Sequence, residues 1–187
     1  NAFSYIDLDK NPDTIVPIVT TFDADYSYID NDGDNLLLTT NDGAPKKKVI
    51  SIDLNNPAKS SWKTIIPENE DPLNVMSIVG GKMFASYMHN ASSQTKVFDM
   101  NGKFLMDLRL PGIGSGGVVG GKKVDNIGFY SFTSFTRPST IYMLDTETME
   151  SEIFRQPNVD FDSDAYETKQ MWYTSKDGTR VPMFATM

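Results

Sequence analysis

Cysteine is absent from the 187 residues, which excludes disulfides, thiol nucleophiles and thiolate metal sites. A cysteine-free chain works in either redox compartment, so cytoplasm and periplasm both stay open. Histidine occurs once, at His89, and any histidine-dependent mechanism has that single candidate. No apolar run approaches the roughly 20 residues of a membrane-spanning helix, and no signal peptide is visible. Positive charge is in deficit, with 17 Lys and Arg against 25 Asp and Glu and a net charge of −8. Such a chain repels phosphate backbones and anionic lipid surfaces, so no nucleic acid and no membrane is expected as partner. A sustained 3.6-residue apolar period is also lacking, so no long helix is expected. An initiator Met is missing. Asn1-Ala2 reads as a cloning remnant before the strand-like Phe3-Ser4-Tyr5-Ile6, and the chain is expected to begin inside a longer protein.

What is present is a repeat. Tyr5-Ile6-Asp7-Leu8 returns as Ser51-Ile52-Asp53-Leu54, Val97-Phe98-Asp99-Met100 and Met143-Leu144-Asp145-Thr146, each step being 46 residues. Alternating apolar and β-branched stretches fill each period, and Asn, Asp, Gly and Pro mark the turns between them. The third copy holds strand-length runs at 74–79, 82–89, 94–100 and 103–110. The fourth holds them at 116–120, 127–132, 140–145 and 150–154. Four strands in about 40–50 residues is the size of a propeller blade, a small twisted sheet that buries its faces only against its neighbours. The fold class is therefore all-β, a partial β-propeller. Half a blade (3–8 and 14–20) precedes three full four-stranded blades, and residues 3–157 form the propeller portion. Gly116–Gly121 fits an innermost strand, where little bulk is tolerated. The tail departs from the repeat. Residues 158–165 read as a linker, and 166–175 and 179–186 form a hairpin around Lys176-Asp177-Gly178. Together, 158–187 are expected to open the next domain, truncated here.

Four equivalent aspartates, Asp7, Asp53, Asp99 and Asp145, suit turn fixing, since a single active site has no use for one copy per blade. Asp30-Asn31-Asp32-Gly33-Asp34 resembles a calcium loop, but Gly is fourth and Asn41 stands where the bidentate Glu belongs, so a tight turn fits better. His89 lies at a strand end with no motif placing a serine or acid beside it. Ser115 fails as a nucleophile elbow because Ile113 occupies the first Gly position of Gly-x-Ser-x-Gly. Ser60-Ser61-Trp62-Lys63 contains Ser-x-x-Lys, but the stretch reads as an outer strand without partner motifs. The aromatics, as in Phe129-Tyr130-Ser131-Phe132, read as blade-to-blade packing. No catalytic, cofactor-binding or metal-binding residue is assigned, and no cofactor is expected.

Two stretches carry a family resemblance. Phe132-Thr133-Ser134-Phe135-Thr136-Arg137-Pro138-Ser139-Thr140-Ile141-Tyr142 resembles the late-propeller segment of the prolyl oligopeptidase family. Residues 166–184, with Gln170 and Ser175-Lys176-Asp177-Gly178-Thr179-Arg180-Val181-Pro182-Met183-Phe184, resemble that family's crossing into its hydrolase domain. Weaker likeness, including Ser61-Trp62-Lys63 and Pro67-Glu68, reaches back to Phe3. Oligopeptidase B is similar in the same stretches, and Pro182-Met183-Phe184 favours prolyl oligopeptidase.

The resemblance implies a serine endopeptidase that cuts short peptides after proline, with a seven-bladed propeller capping an α/β-hydrolase domain. Its Ser-Asp-His triad would follow Met187, so this portion is expected to be a non-catalytic lid that gates substrate access. The implied partners are the protein's own hydrolase domain and short proline-containing peptides. The rival reading is a free-standing propeller-type binding module with no enzymatic partner domain. Bare sheet faces are also expected to make the fragment self-associate.

Overall fold

The computed structural model describes residues 1–160 and 162–187. Their regular elements are strands and two short 3-10 turns, Lys59–Ser61 and Ser163–Ala165. The chain divides into two compact units, residues 1–73 and 74–187.

The first unit opens with an antiparallel pair, β1 (Phe3–Tyr5) and β2 (Val16–Val19). A four-stranded antiparallel meander follows: β3 (Tyr26–Asp32), β4 (Asn35–Thr40), β5 (Lys48–Asp53) and β6 (Lys63–Ile66). The Asp32–Asn35 connection turns at Gly33, with φ +57°, so the acidic loop is the tight turn its composition foretold. Val19 of the half blade and Tyr26, Leu36, Leu38, Ile50 and Ile52 of the meander form one apolar cluster, with Phe3 and Trp62 against it. Each such side chain contributes about 1.5–3 kcal/mol on burial. That is how a two-stranded ribbon, marginal alone, is held.

The second unit begins with β7 (Leu73–Val79), whose first residue closes the first unit, and continues as β8 (Lys82–His89), β9 (Ser92–Phe98) and β10 (Phe104–Asp107). The next sheet comprises β11 (Ser115–Gly116), β12 (Gly120–Gly121), β13 (Ile127–Thr133), β14 (Thr140–Asp145) and β15 (Ser151–Arg155). Both short pieces, β11 and β12, pair with β13, so they are one innermost strand in two parts. The count of half a blade and three full blades is as the period requires. A hairpin, β16 (Thr168–Thr174) and β17 (Arg180–Thr186), ends the chain. Residue 161, within the linker reading of 158–165, lies outside the described residues.

The two full sheets of this unit share a core. Along β13 burial alternates strictly, with Gly128, Tyr130 and Phe132 buried and Ile127, Phe129, Ser131 and Thr133 exposed. The buried side joins Val119, Tyr142 and Leu144 of its own sheet to Val79, Phe84, Val97 and Leu108 of the sheet before. Period-2 patterning thus aims one face of the blade at its neighbour.

Two expectations need correction. The innermost strand is not continuous over 116–120. Gly116 (φ +143°) and Gly117 (φ +75°) leave the extended region, and the freed backbone bonds sideways to the preceding sheet. Thr95 Oγ1 donates to the Gly117 carbonyl at 2.7 Å and Ser77 Oγ to the Val119 carbonyl at 2.5 Å. The Gly116 N–H donates to Ser93 Oγ at 3.0 Å. These hydroxyls outcompete the ladder in a buried place where every backbone group needs a partner. Ser60 and Ser61 are not in an outer strand either. They lie in the 3-10 turn after Pro57, closed by Ser61 N–H to the Ala58 carbonyl at 2.8 Å and by Trp62 Nε1 to the Pro57 carbonyl at 2.9 Å. Strand β6 starts only at Lys63.

The β7–β8 turn shows how tightly the sheets meet. Gly80 has φ +57°, and a Cβ there would sit 2.1 Å from Thr146 Oγ1 of the next sheet, whereas at Gly81 (φ +67°) a Cβ would meet nothing within 4 Å. Gly80→Ala is therefore expected to lower stability by about 2 kcal/mol or more and Gly81→Ala by about 1 kcal/mol. Urea denaturation followed by circular dichroism measures both.

Candidate functional site

The residues of the two motif stretches meet at one end of the last full sheet. The β13–β14 connection is held by Ser134, whose Oγ accepts from the Thr136 and Arg137 N–H groups at 3.3 and 3.1 Å, while Ser134 N–H donates to the Arg137 carbonyl at 3.0 Å. Thr140 Oγ1 donates to the Pro138 carbonyl at 3.1 Å. A serine hydroxyl that caps its own turn this way orders the loop without help from a helix or ladder. The ordered loop presents Phe135, and its ring lies 5.6 Å from that of Phe184 on β17. Gln170 of β16 donates Nε2 to the Asn90 carbonyl at 2.7 Å. Stretches 132–142 and 166–184, distant in sequence, are thus joined in space.

Between them lies a cavity of about 210 Å³ lined by Ala91, Ile113, Gly114, Ser134, Phe135 and Phe184, among others. The seat on the sheet side depends on two features that sequence reasoning missed. Asn90 (φ +49°) and Ala91 (φ +62°) are both left-handed, which makes the β8–β9 turn tight and turns the Asn90 carbonyl outward. An Asn beside a small residue between two apolar runs was the available signal. Gly114 permits close approach, since a Cβ there would fall 2.2 Å from the Thr133 carbonyl oxygen. Beyond the seat, the hairpin exposes Met171, Trp172, Tyr173 and Met183, and the Arg180 guanidinium lies 4.7 Å from the Trp172 ring centre.

The other sequence candidates are dispersed. His89 ends β8, with its ring nitrogen Nε2 2.9 Å from Asn90 Nδ2, while Ser92 Oγ donates to the His89 backbone carbonyl and not to the ring. Ser115 pairs in β11 opposite Thr133. Among the described residues no group of three or more His, Asp or Glu is arranged to hold a metal ion.

The repeated aspartates behave as turn fixers. Oδ1 of Asp7 accepts the Asp9 and Lys10 N–H groups at 3.1 and 2.9 Å. Asp53 accepts from Asn55 at 2.9 Å, and Asp99 accepts from Asn101 and Lys103, each at 2.9 Å. Asp145 accepts from Glu147 and Thr148 at 2.8 and 3.0 Å. The hairpin repeats the device, with Asp177 accepting the Thr179 N–H at 3.0 Å. Backbone donors hold three of these carboxyls below their ordinary value of 3.8, the chief donor being Lys10 for Asp7, Thr148 for Asp145 and Thr179 for Asp177.

A half blade packed on one four-stranded sheet in the first unit, and two further full sheets sharing a core in the second, define the class as a β-propeller portion followed by a hairpin. Residues 1–157 match the family model described as "Prolyl oligopeptidase, N-terminal beta-propeller domain", and the chain belongs to that family. It is 38% identical over 174 residues to the prolyl endopeptidase of Elizabethkingia miricola, covering 93% of this chain and 24% of that protein. The prolyl endopeptidase of Dictyostelium discoideum is 36% identical, with 94% of this chain and 24% of the relative covered. This chain thus spans about a quarter of the curated relatives it matches. Among solved structures, apo prolyl oligopeptidase B from Galerina marginata superposes with a TM-score of 0.89 at 30% identity, over 98% of this chain and 27% of that one. Oligopeptidase B from Leishmania major, at 14% identity and a TM-score of 0.79 over 99% of this chain and 28% of that one, shares the fold.

A carboxyl held lower in the folded chain than in the unfolded one stabilises fully above the unfolded value, and that contribution disappears as pH falls through the folded value. Stability is accordingly expected to be insensitive to Asp7, Asp145 and Asp177 from neutrality to about pH 5 and to fall below about pH 4. Urea midpoints at stepped pH measure this, and Asp145→Ala should shrink the acid loss.

Proposed function

We propose that this chain is the later part of the propeller of a serine endopeptidase that cleaves short peptides after proline, and that it acts as a lid rather than as a catalyst. The supporting observation is the seating of the 166–184 stretch on the sheets, with Phe184 against Phe135 of the other motif stretch and Gln170 on the Asn90 carbonyl. On this reading 158–165 is a linker and the hairpin of 166–187 is the first element of a hydrolase domain, seated on the end of the blades. The hairpin's exposed Trp172, Tyr173 and Met183 are then the surface on which that domain continues. A lid domain over an active site admits a short flexible peptide while excluding a folded protein. Variants of the Galerina enzyme have been solved with 35mer and 25mer peptide substrates bound, which favours peptides over small esters as the gated class. The catalytic nucleophile, base and acid lie on this reading in the hydrolase domain, with the serine first in chain order.

The purified chain is expected to show no turnover of a proline-containing fluorogenic peptide, and a longer protein that includes the downstream domain is expected to cleave it. Turnover by the chain alone would overturn the lid reading. A parent protein that is inactive although it folds would favour the binding-module alternative.

The outer side of the last full sheet exposes Ile127, Phe129, Ile141 and Phe154, the two phenylalanine rings meeting edge to face at 5.0 Å. We propose that a second copy covers this face when the chain is isolated. Light scattering is expected to show a dimer or larger species that dissociates in Phe129→Lys, and a strict monomer at millimolar concentration would contradict it.

A further inference from the structure

The turn that each repeated aspartate fixes is not chemically the same in every copy. Two residues beyond Asp7, Asp53, Asp99 and Asp145 stand Asp9, Asn55, Asn101 and Glu147. Asn55 and Asn101 carry amides. Asn55 is followed by Asn56 and is tied down, its Nδ2 donating to Asp34 Oδ2 at 3.1 Å. Asn101 is followed by Gly102, the one Asn-Gly step in the sequence. It is exposed, and its side-chain amide makes no hydrogen bond among the described residues.

The bonds of this turn hold the main chain and leave that amide loose. Gly102 N–H donates to the Asp99 carbonyl and Asp99 N–H to the Lys103 carbonyl, each at 3.0 Å. Asp99 Oδ1 accepts the Asn101 and Lys103 N–H groups, each at 2.9 Å. Gly102 has φ +83° and no Cβ to screen its nitrogen. The one bond on that nitrogen lies in a turn leading into β10, which is exposed along its whole length. Water replaces the bond when it opens, so little is lost.

The Asp-Gly steps at 32–33, 42–43 and 177–178 could close the same ring with glycine, but an ionised carboxylate resists attack. Asp42 is held by Lys59 Nζ at 2.6 Å and by the Tyr26 hydroxyl at 3.1 Å. Asp177 accepts the Thr179 N–H, and Asp32 has interactions of its own.

We propose that Asn101 is a site of spontaneous self-modification, converting to aspartate and isoaspartate through a succinimide ring closed with Gly102. Hydroxide takes the proton of the Gly102 N–H, and that nitrogen attacks Asn101 Cγ. The new bond closes the ring as the Cγ–Nδ2 bond breaks, and Nδ2 leaves as ammonia with a proton from water. Water then opens the ring. Breaking the bond from Gly102 N to Cγ gives aspartate. Breaking its bond to the main-chain carbonyl carbon gives isoaspartate, whose backbone runs through Cβ. One water is consumed and one ammonia released, and nothing is oxidised or reduced. Isoaspartate lengthens the main chain inside the span that Asp99 Oδ1 bridges, so it frees the Lys103 N–H and loosens the entry to β10. The site does not depend on the peptidase reading.

The full chain is incubated in mildly acidic and mildly alkaline buffers made with heavy-oxygen water, and its peptides are mapped by tandem mass spectrometry. Asn101 is expected to convert to both acids with one solvent oxygen gained, at a rate that rises with hydroxide. Asn55, with its amide on a carboxylate, is expected to convert at least about tenfold more slowly. A urea-unfolded sample gives the unprotected rate, and the folded chain is expected to stay within about tenfold of it, the factor one opened hydrogen bond imposes. Asn101→Gln, which would need a larger ring, is expected to remain intact over the same period. An unchanged Asn101 in the folded chain while the unfolded chain converts, equal conversion at Asn55, or a rate indifferent to pH overturns the proposal.

Discussion

The structure depends on one constraint: a four-stranded blade cannot bury its own faces. Each sheet has an apolar side that water would contact were no neighbour present, and the third full blade shows how one such side is covered. Gly128, Tyr130 and Phe132 turn toward Phe84 and Val97 of the preceding blade, and Tyr142 and Leu144 extend the same surface outward. Nothing in this contact is directional, and the hydrophobic effect that drives it scales with area. Direction comes instead from the hydroxyls of Ser77, Ser93 and Thr95, which bind the inner strand of the next blade. Packing supplies most of the stability, and these few bonds fix the register of one blade on the next.

That division explains why the innermost strand is broken. An unbroken β11–β12 would satisfy its own ladder with β13 but leave the neighbouring hydroxyls unpaired in a buried place. Glycines at 116 and 117 let the backbone turn to meet them. The same crowding appears at Gly80 against Thr146. Where blades converge, side chains are removed so that backbones can approach, and where they diverge, aromatic rings fill the widening gap. Tyr130 stacked on Tyr142 belongs to the second regime.

The connections at the ends of the sheets follow the same geometry. At one end of the last full sheet, Phe135 and Asn90 fasten the hairpin through Phe184 and Gln170. The family match and the curated prolyl endopeptidases give that seat its context. Asp-capped turns keep the loops short and ordered.

The 46-residue period, the four-strand count and the role of Asp7, Asp53, Asp99 and Asp145 were legible in the amino acids alone. Each rests on local physics: alternation along a strand, turn-forming residues between strands, and a carboxylate bonding amides two to four positions ahead. The motif stretches at 132–142 and 166–184 were legible as patterns, but not their meeting, because Phe135 and Phe184 are brought together only by the folding of everything between them. The break at Gly116-Gly117 was hidden for the same reason. Where a backbone group of the inner strand finds its partner is decided by the neighbouring sheet, and that neighbour exists only in three dimensions.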